Sequence, residues 1–223
     1  MIFNKDYFEK VFDKESPWGY STSEYEKKKY LRQLEAIVRC CREPKNILEV
    51  GCAEGIHTAM IAQAFPGARI LCVDIATQAI ERAKKTCDCF KNVELMEGDI
   101  IELFSRGKLP SHKFDVIVQS ECLYYLFPTL LFRMDLVSYL RGMARTLTDE
   151  GIFVTSNGIN AVTRNVMGIY YLILKRYCAP VFSAQYREWN EYRNKHVTYD
   201  LRVFRKVNRR ERIQEPELAA QAP

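Results

Sequence analysis

The sequence lacks several features that would assign it to a special class of protein. It has no run of about eighteen apolar residues, so it predicts no membrane-spanning helix. The first residues do not have the pattern of a signal peptide, and we expect a cytoplasmic protein. No two of the eight cysteines have CxxC spacing, and several fall in predicted buried segments, so we expect neither a metal site nor a disulfide framework. The 223 residues suit one α/β domain with a sizeable core.

An excess of positive charge is also missing from most of the chain. The net charge is +5, but residues 205–212 hold five basic side chains and one acid, so this segment contributes +4. The rest of the chain is therefore nearly neutral. We interpret residues 209–223 as a disordered, solvated tail, and we do not expect a nucleic-acid partner.

The stretch over residues 46–62, NILEVGCAEGIHTAMIA, organises the rest of the sequence. A short apolar strand pattern leads into a turn with glycines at 51 and 55, and a helical pattern follows. Gly51 lets the backbone turn sharply and lets a ligand approach without a Cβ in the way, while Gly55 allows the next helix to pack closely. The sequence therefore predicts a cofactor above this turn.

The spacing of the turn limits the kind of cofactor. A dinucleotide fingerprint has the form G-x-G-x-x-G, whose second glycine admits a pyrophosphate, whereas this turn has Ala53 at that position and the spacing G-x-x-x-G. Downstream, residues 69–74 are typical of a second buried strand. This strand ends in Asp74, whose carboxylate is placed to accept hydrogen bonds from two ribose hydroxyls. These residues favour a nucleoside without phosphates.

Four segments in this order, ILEVGCAEG, CVD, EGDI and FDVIV, resemble the motifs of class I S-adenosylmethionine-dependent methyltransferases over residues 40–160. The Pro17-Trp18 pair, the GCAEG turn and the segment ECLYYL at residues 121–126 resemble the nodulation NodS-like N-methyltransferases. The resemblance implies a Rossmann-like, doubly wound α/β fold with a seven-stranded, mostly parallel sheet, helices on both faces and an antiparallel last strand. It also implies S-adenosyl-L-methionine as the cofactor and a small-molecule acceptor as the substrate.

The resemblance further implies which residues bind the cofactor. Asp99 is expected to meet the adenine amino group, and Ile100 is expected to stack on the ring. Trp18 is expected to shelter the sulfonium by a cation–π contact, and Lys29 to pair with the methionyl carboxylate. The complete set predicted at the cofactor is Trp18, Lys29, Glu49, Gly51, Cys52, Ala53, Gly55, Asp74, Ile75, Asp99, Ile100 and Ser120.

The remaining patterns predict a single domain over residues 1–208. Residues 1–40 are expected to form a lid and a helix whose N-cap is Ser23. Residues 159–190 are expected to cap the acceptor site, with a helix over 166–182. A long helix is predicted over 130–147, and a last, antiparallel edge strand over 199–207.

The segment at residues 121–126 lies at the predicted carboxyl end of the fourth strand, where open α/β sheets bind ligands. DNA amino-methyltransferases need Pro-Pro-aromatic after an Asn or Asp here, and this segment has no proline. Glu121 is predicted to hold a substrate ammonium or hydroxyl and Tyr124 to hydrogen-bond the acceptor, because methyl transfer needs mainly an aligned nucleophile. His57 is a further catalytic candidate, as the only histidine near the glycine turn. Tyr125 and Leu126 are expected to pack in the following helix.

We interpret the sequence as a methyltransferase whose acceptor, by resemblance, is the amine of an amino sugar or of a deacetylated oligosaccharide. Three alternatives stay open. An N- or O-methyltransferase of a secondary metabolite would keep the cofactor residues and differ over residues 159–190. A nucleotide-dependent dehydrogenase would bind NADH, which the missing middle glycine argues against. A non-catalytic module would bind the cofactor without turnover.

Overall fold

The computed structural model describes residues 3–109, 113–132 and 136–207. Its centre is a seven-stranded sheet in the order β3-β2-β1-β4-β5-β7-β6. The strands are β1 Asn46–Val50, β2 Arg69–Asp74, β3 Val93–Glu97, β4 Phe114–Gln119, β5 Leu147–Gly158, β6 Cys178–Asn190 and β7 Lys195–Lys206. The first five strands are parallel, while β7 runs antiparallel to β5 and β6 runs antiparallel to β7.

Helices cover both faces of this sheet. They are α1 Lys5–Phe12, α2 Glu24–Cys40, α3 Ile56–Ala64, α4 Thr77–Thr86, α5 Ile100–Ser105, α6 Leu123–Phe132, α7 Leu136–Thr146 and α8 Ala161–Leu174. Alternate residues of β1 point to opposite sides: Ile47 belongs to an apolar cluster with α2, α3 and α4, and Leu48 to a cluster with α5, α7 and α8. This double layer is why the central strands bury apolar residues on both faces. The doubly wound α/β fold is confirmed.

The carboxyl ends of the central strands lie level with one another. Val50 at the end of β1 pairs in register with Val73 of β2 on one side and with Gln119 of β4 on the other. The turns that follow these three strands therefore meet at one edge of the sheet, where ligands bind in this architecture.

The sequence-based boundaries of the last third need correction. The helix predicted over 166–182 is wrong, because α8 ends at Leu174 and the segment from Cys178 onward belongs to β6. The antiparallel strand predicted over 199–207 is present within β7, but β7 is an inner strand and β6 forms the edge. Pro180 is compatible with an edge strand, because one side of such a strand needs no ladder hydrogen bonds.

Two other predicted segments fall partly outside the described residues. The helix predicted over 130–147 corresponds to the end of α6 and to α7, and residues 133–135 between them are not described. The predicted tail at 209–223 also lies outside the described residues. In the part of the chain that is described, no helix is both long and apolar enough to cross a bilayer.

Candidate active site

A cavity of about 480 Å³ opens at the carboxyl ends of β1, β2 and β4. Two groups of residues line it, and we name them by position. The cofactor end comprises the lining residues of the N-terminal segment, α2 and the loops after β1 to β4. The hairpin end comprises the lining residues of the loop after β5, the start of α8 and the β6–β7 hairpin.

The glycine turn after β1 needs its glycines for two different contacts. Gly51 has a φ of 79°, and a Cβ there would lie 3.2 Å from Cβ of Cys122, in the loop after β4. Gly55 has a φ of 78°, and a Cβ there would lie 3.1 Å from Cα of Ala83 in α4. Gly51 therefore lets the loop after β4 approach the turn, and Gly55 lets α4 pack against it.

Asp74 ties this turn to the next strand. One carboxylate oxygen accepts a hydrogen bond from the N–H of Ala53 at 2.9 Å, and the other accepts from the N–H of Ala76 at 3.0 Å. Ala53 adopts a left-handed φ of 49°, which this bond to Asp74 supports. Burial raises the pKa of Asp74, and the backbone amides oppose that rise. Because each carboxylate oxygen can accept a further hydrogen bond, Asp74 retains acceptors for a ligand in the cavity.

The residues after β2 and β3 form the next part of the wall. Ile75 and Ile100 present apolar surface to the cavity, and Asp99 lies beside them. One oxygen of Asp99 caps α5 by accepting from the N–H of Ile101 at 2.8 Å, so the other oxygen remains for a ligand. An apolar slot beside a carboxylate suits a flat ring that carries an amino group.

Glu121 lies at the centre of a polar cluster after β4. Its carboxylate accepts hydrogen bonds from Nζ of Lys29 at 3.0 Å, from the hydroxyl of Tyr124 at 2.8 Å and from the N–H of Gly158 at 3.1 Å. Burial alone would raise the pKa of Glu121, but the Lys29 ammonium, with the two other donors, brings the pKa below its ordinary value. Glu121 has a left-handed φ of 54°, an unfavourable backbone geometry that often marks functional positions.

Lys29 lies between two carboxylates. Only 2% of its side chain is exposed, and its Nζ is 2.7 Å from Oε2 of Glu26 and 3.0 Å from Oε1 of Glu121. Burial opposes the charge of Lys29, but the two carboxylates outweigh burial and raise its pKa above the ordinary value. Burial raises the pKa of Glu26. Lys29 therefore carries a positive charge at the cavity wall, and its ammonium is already paired with both Glu26 and Glu121.

Four predicted site residues do not line the cavity: Glu49, Cys52, Gly55 and His57. Cys52 and Gly55 belong to the glycine turn itself, whereas Glu49 precedes the turn in β1 and His57 follows it in α3. Nδ1 of His57 lies 2.8 Å from Oε1 of Glu49, and the ring stacks on Tyr30 at 4.7 Å. Glu49 also accepts a hydrogen bond from Thr58. The first turn of α3 directs His57 toward β1, so we correct its predicted catalytic role to the support of the turn.

The other predicted residues all line the cavity: Trp18, Lys29, Gly51, Ala53, Asp74, Ile75, Asp99, Ile100, Ser120, Glu121 and Tyr124. Trp18 packs edge-on against Phe12 and tilted against Tyr20, with centroids 5.4 and 5.5 Å away. Ser120 donates a hydrogen bond to Gln33 of α2. Tyr125, which was expected to pack in the helix, also lines the cavity and contacts Phe8 of α1.

The N-terminal segment closes one side of the cavity and is held by polar contacts. α4 has no side-chain cap of its own, because its N-cap is Ala76. Glu9 of α1 takes that place, since its carboxylate accepts from the N–H groups of Thr77 at 2.7 Å and Gln78 at 3.4 Å. An acid at a helix N-terminus is favourable. Residue Ser23 caps α2 as predicted, by accepting from the N–H of Glu26 at 3.2 Å.

The hairpin end contains lining residues that the sequence patterns did not single out individually, although three of them lie within the segment 159–190 that was predicted to cap the acceptor site. They are Asn160 and Thr163 at the start of α8, and Asn190, Tyr192, Arg193, Lys195 and His196 in the β6–β7 hairpin. The basic composition of the hairpin is visible in the sequence, but its place beside Glu121 depends on how β6 and β7 pair.

Comparison with known proteins gives matches of three kinds. The profile of the family described as Nodulation protein S (NodS) matches residues 2–169. Nodulation protein S of Azorhizobium caulinodans is 28% identical over 166 residues, which cover 72% of each chain. Nodulation protein S of Bradyrhizobium diazoefficiens is 33% identical over 123 residues, which cover 55% of each chain.

Among solved structures, the fold is similar to that of N-methyltransferase NodS from Bradyrhizobium japonicum WM9 in complex with S-adenosyl-L-homocysteine. The TM-score is 0.74 at 21% identity, and the match covers 92% of this chain and 98% of that chain. At this identity the similarity concerns the fold.

Proposed function

The chain belongs to the nodulation protein S family, and from this membership we propose that it transfers a methyl group to the amine of an amino sugar or of a deacetylated oligosaccharide. As a member of this family it is an S-adenosylmethionine-dependent methyltransferase. The observation that carries the proposed acceptor is the cluster of Glu121, Tyr124 and Lys29 on the wall of the same cavity as the predicted cofactor residues.

The residues of the cofactor end fit S-adenosylmethionine. Asp74 offers carboxylate oxygens suited to two ribose hydroxyls, and Asp99 with the apolar slot of Ile75 and Ile100 suits adenine. The absence of a Cβ at Gly51 keeps the turn close to the loop after β4. Aromatic faces such as Trp18 suit a sulfonium cation. When bound, the cofactor supplies an electrophilic methyl carbon on sulfur.

The chain's own residues would mainly align the acceptor. A neutral amine attacks the methyl carbon in line: the C–N bond forms as the C–S bond breaks, the electron pair of that bond stays on sulfur, and the new ammonium then loses a proton. Alignment of the reacting groups can lower the barrier of such a reaction by about 7 to 11 kcal/mol. Glu121 and Tyr124 are placed at the carboxyl end of β4, where they can hold an N–H of the acceptor.

The pKa of Glu121 limits its role. A general base works best with a pKa near the working pH, and the Lys29 ammonium keeps the pKa of Glu121 below its ordinary value despite burial. We therefore assign Glu121 to orientation of the amine by an ionised carboxylate, and the proton passes to solvent. Tyr124 donates to Glu121, so its oxygen can accept a hydrogen bond from the acceptor.

The test is a matched pair of acceptors. The purified chain is incubated with labelled S-adenosylmethionine and either an N-acetylglucosamine oligosaccharide with one deacetylated residue or its fully acetylated counterpart. We expect label in the deacetylated sugar alone, with the methyl group on nitrogen by mass and NMR analysis. Methylation of a hydroxyl would favour the O-methyltransferase of a secondary metabolite. Tight binding of S-adenosylhomocysteine without turnover on any acceptor would favour a non-catalytic module.

A further inference from the structure

The hairpin end of the cavity is rimmed by basic side chains. Arg193, Lys195 and His196 line the cavity, and all three residues are exposed. Within the described residues, none of the three takes part in an ion pair with a carboxylate. The other residues that line this end are neutral, among them Asn160, Thr163 and Tyr192.

The hairpin that carries these charges is held in place at its tip. Glu191 accepts a hydrogen bond from the N–H of Tyr25 at the start of α2, at 3.4 Å, so the acid of the tip is directed to α2. Buried Asn190 accepts from the N–H of Arg193 at 2.7 Å. The Tyr192 ring packs over Gly19, with its Cδ2 3.4 Å from the position that a Cβ would take there. The basic side chains therefore start from a fixed backbone.

The charge of Arg193 reaches the centre of the cavity. Burial raises the pKa values of Glu26 and Tyr125. Lys29 opposes the first rise and a hydrogen bond with Tyr124 the second, and the Arg193 guanidinium makes a smaller contribution against both. Both of these residues line the cavity beside Glu121. A ligand that lies between Glu121 and the hairpin would therefore meet an acid at one end and several bases at the other.

Grouping cations on one rim without acids costs electrostatic free energy, and a bound anion relieves this cost. The cofactor end has the opposite character, because Glu26, Asp74, Asp99 and Glu121 line it, and Lys29 is the only cation there among the residues that the structure describes. We infer that the methyl acceptor carries an anionic group, a phosphate or a carboxylate, which Arg193, Lys195 and His196 bind while its amine lies at Glu121. This inference rests on the proposed function and narrows its substrate class.

The test measures acceptor binding separately from turnover. The protein, saturated with S-adenosylhomocysteine, is titrated in a calorimeter with glucosamine, with glucosamine 6-phosphate and with muramic acid. These amines share a sugar ring, and the second and third add a phosphate and a carboxylate. We expect at least one of the anionic amines to bind about tenfold more tightly than glucosamine, since hydrogen bonds to charged groups are the strong ones. The two anionic amines distinguish which anion the rim prefers.

Two double variants with the same change of charge make the test specific. Arg193→Gln/Lys195→Gln should abolish the preference for the anionic amine and leave the affinity for S-adenosylhomocysteine unchanged. Lys84→Gln/Lys85→Gln, at the far end of α4, should keep the preference. Equal affinity for the three amines, no binding of any of them, or a preference that survives Arg193→Gln/Lys195→Gln would overturn the inference. A tenfold loss of S-adenosylhomocysteine affinity in that variant would also overturn it, because the rim would then serve the cofactor.

Failure of this inference is distinguishable from failure of the proposed function. If the inference alone fails, the deacetylated oligosaccharide is methylated and the anionic amines show no advantage in binding. If the proposed amine transfer alone fails, no amine is methylated, yet the preference for an anionic amine and its dependence on the hairpin remain measurable by calorimetry.

Discussion

The two ends of the cavity are built in different ways. At the cofactor end, acids lie at the carboxyl ends of parallel strands, and the backbone saturates part of each one: Asp74 accepts from two amides and Asp99 caps a helix. At the hairpin end, Arg193 and Lys195 extend from an exposed turn and have no ion-pair partner in the described part of the chain. The acids of the cofactor end therefore also hold the fold, whereas the side chains of Arg193 and Lys195 can change without the loss of an ion pair.

This difference separates two tasks of the site. Residues that also hold the glycine turn and the helix starts preorganise a site for one ligand, at little entropic cost on binding. Side chains that have no ion-pair partner among the described residues, such as those of Arg193 and Lys195, can adapt to the other ligand and set its specificity. Lys29, Glu121 and Tyr124 lie where the two ends meet.

The largest expected effect comes from Lys29, because it holds the junction together. Lys29→Met leaves Glu26 and Glu121 buried without their shared cation. Breaking a buried ion pair from one side costs about 3 to 5 kcal/mol of unfolding free energy, which urea denaturation followed by circular dichroism measures. Addition of Glu26→Gln to this variant should restore part of the loss, because one unpaired acid is then removed.

The control for Lys29 lies two residues away. Lys27 is on the exposed face of the same helix, and its Nζ is 3.8 Å from Glu24 in a surface pair. Lys27→Met should change the unfolding free energy by less than about 0.5 kcal/mol. If the two variants are equally stable, Lys29 does not hold the two ends together.

The next effect is on catalysis at the junction. Glu121→Gln removes the charge that orients the acceptor but keeps the shape of the side chain. We expect kcat to fall about 100-fold, as loss of alignment commonly does, while the affinity for S-adenosylhomocysteine, measured by calorimetry, stays unchanged. An unchanged kcat would show that the acceptor amine is aligned elsewhere.

The two ends also differed in how far the sequence predicted them. Strand β2 begins and ends where predicted, because a buried parallel strand appears as an apolar run between turns. The acid at the end of β2 and the glycines after β1 could also be predicted, because each lies directly beside a strand in the sequence. Position in the sequence did not show which way His57 points, since one residue along a helix turns the side chain by about 100°.

The hairpin end had no such local signal. β6 is an edge strand whose residues alternate between exposed and half-buried, and its start around Cys178 is apolar enough to continue the helical pattern of α8. Arg193 acquires its significance only when the hairpin folds beside Glu121, more than seventy positions earlier in the chain. Long-range placement of this kind cannot be predicted from a single segment.

A smaller effect is expected at the cofactor end. Asp74→Ala removes the carboxylate that we assign to the ribose hydroxyls, and the affinity for S-adenosylhomocysteine should fall by about 1 to 3 kcal/mol. Asp74→Ala should leave the preference among acceptor amines in place. Arg193→Gln/Lys195→Gln should abolish that preference and leave the affinity for S-adenosylhomocysteine unchanged. A loss of amine preference in Asp74→Ala would contradict the separation of the two ends.

The pH dependence of cofactor binding should follow the ionisation of Asp74. Burial raises the pKa of Asp74, whereas the Lys29 ammonium, acting against burial, lowers that of Glu121. A raised pKa means that Asp74 takes up a proton at a higher pH than an ordinary aspartate does, so the affinity for S-adenosylhomocysteine should weaken as the pH falls through that pKa. Calorimetry over a pH series checks this, with Asp74→Ala as the control whose affinity should vary less. An equally steep fall in Asp74→Ala would assign the titration to another group.

The smallest effect is expected from Tyr124, because Glu121 keeps two other donors without it. Tyr124→Phe removes one hydrogen bond of 2.8 Å and leaves those from Lys29 and the N–H of Gly158. A hydrogen bond to an ionised group contributes about 1.5 to 3 kcal/mol. Because Lys29 and the N–H of Gly158 still hold Glu121, kcat/KM for the acceptor should fall by only roughly tenfold. A fall in kcat/KM as large as that in Glu121→Gln, measured with the same acceptor, would mean that Tyr124 itself aligns the amine. The ion pair between Lys29 and Glu121 would then serve mainly to position Glu121 as the partner of Tyr124.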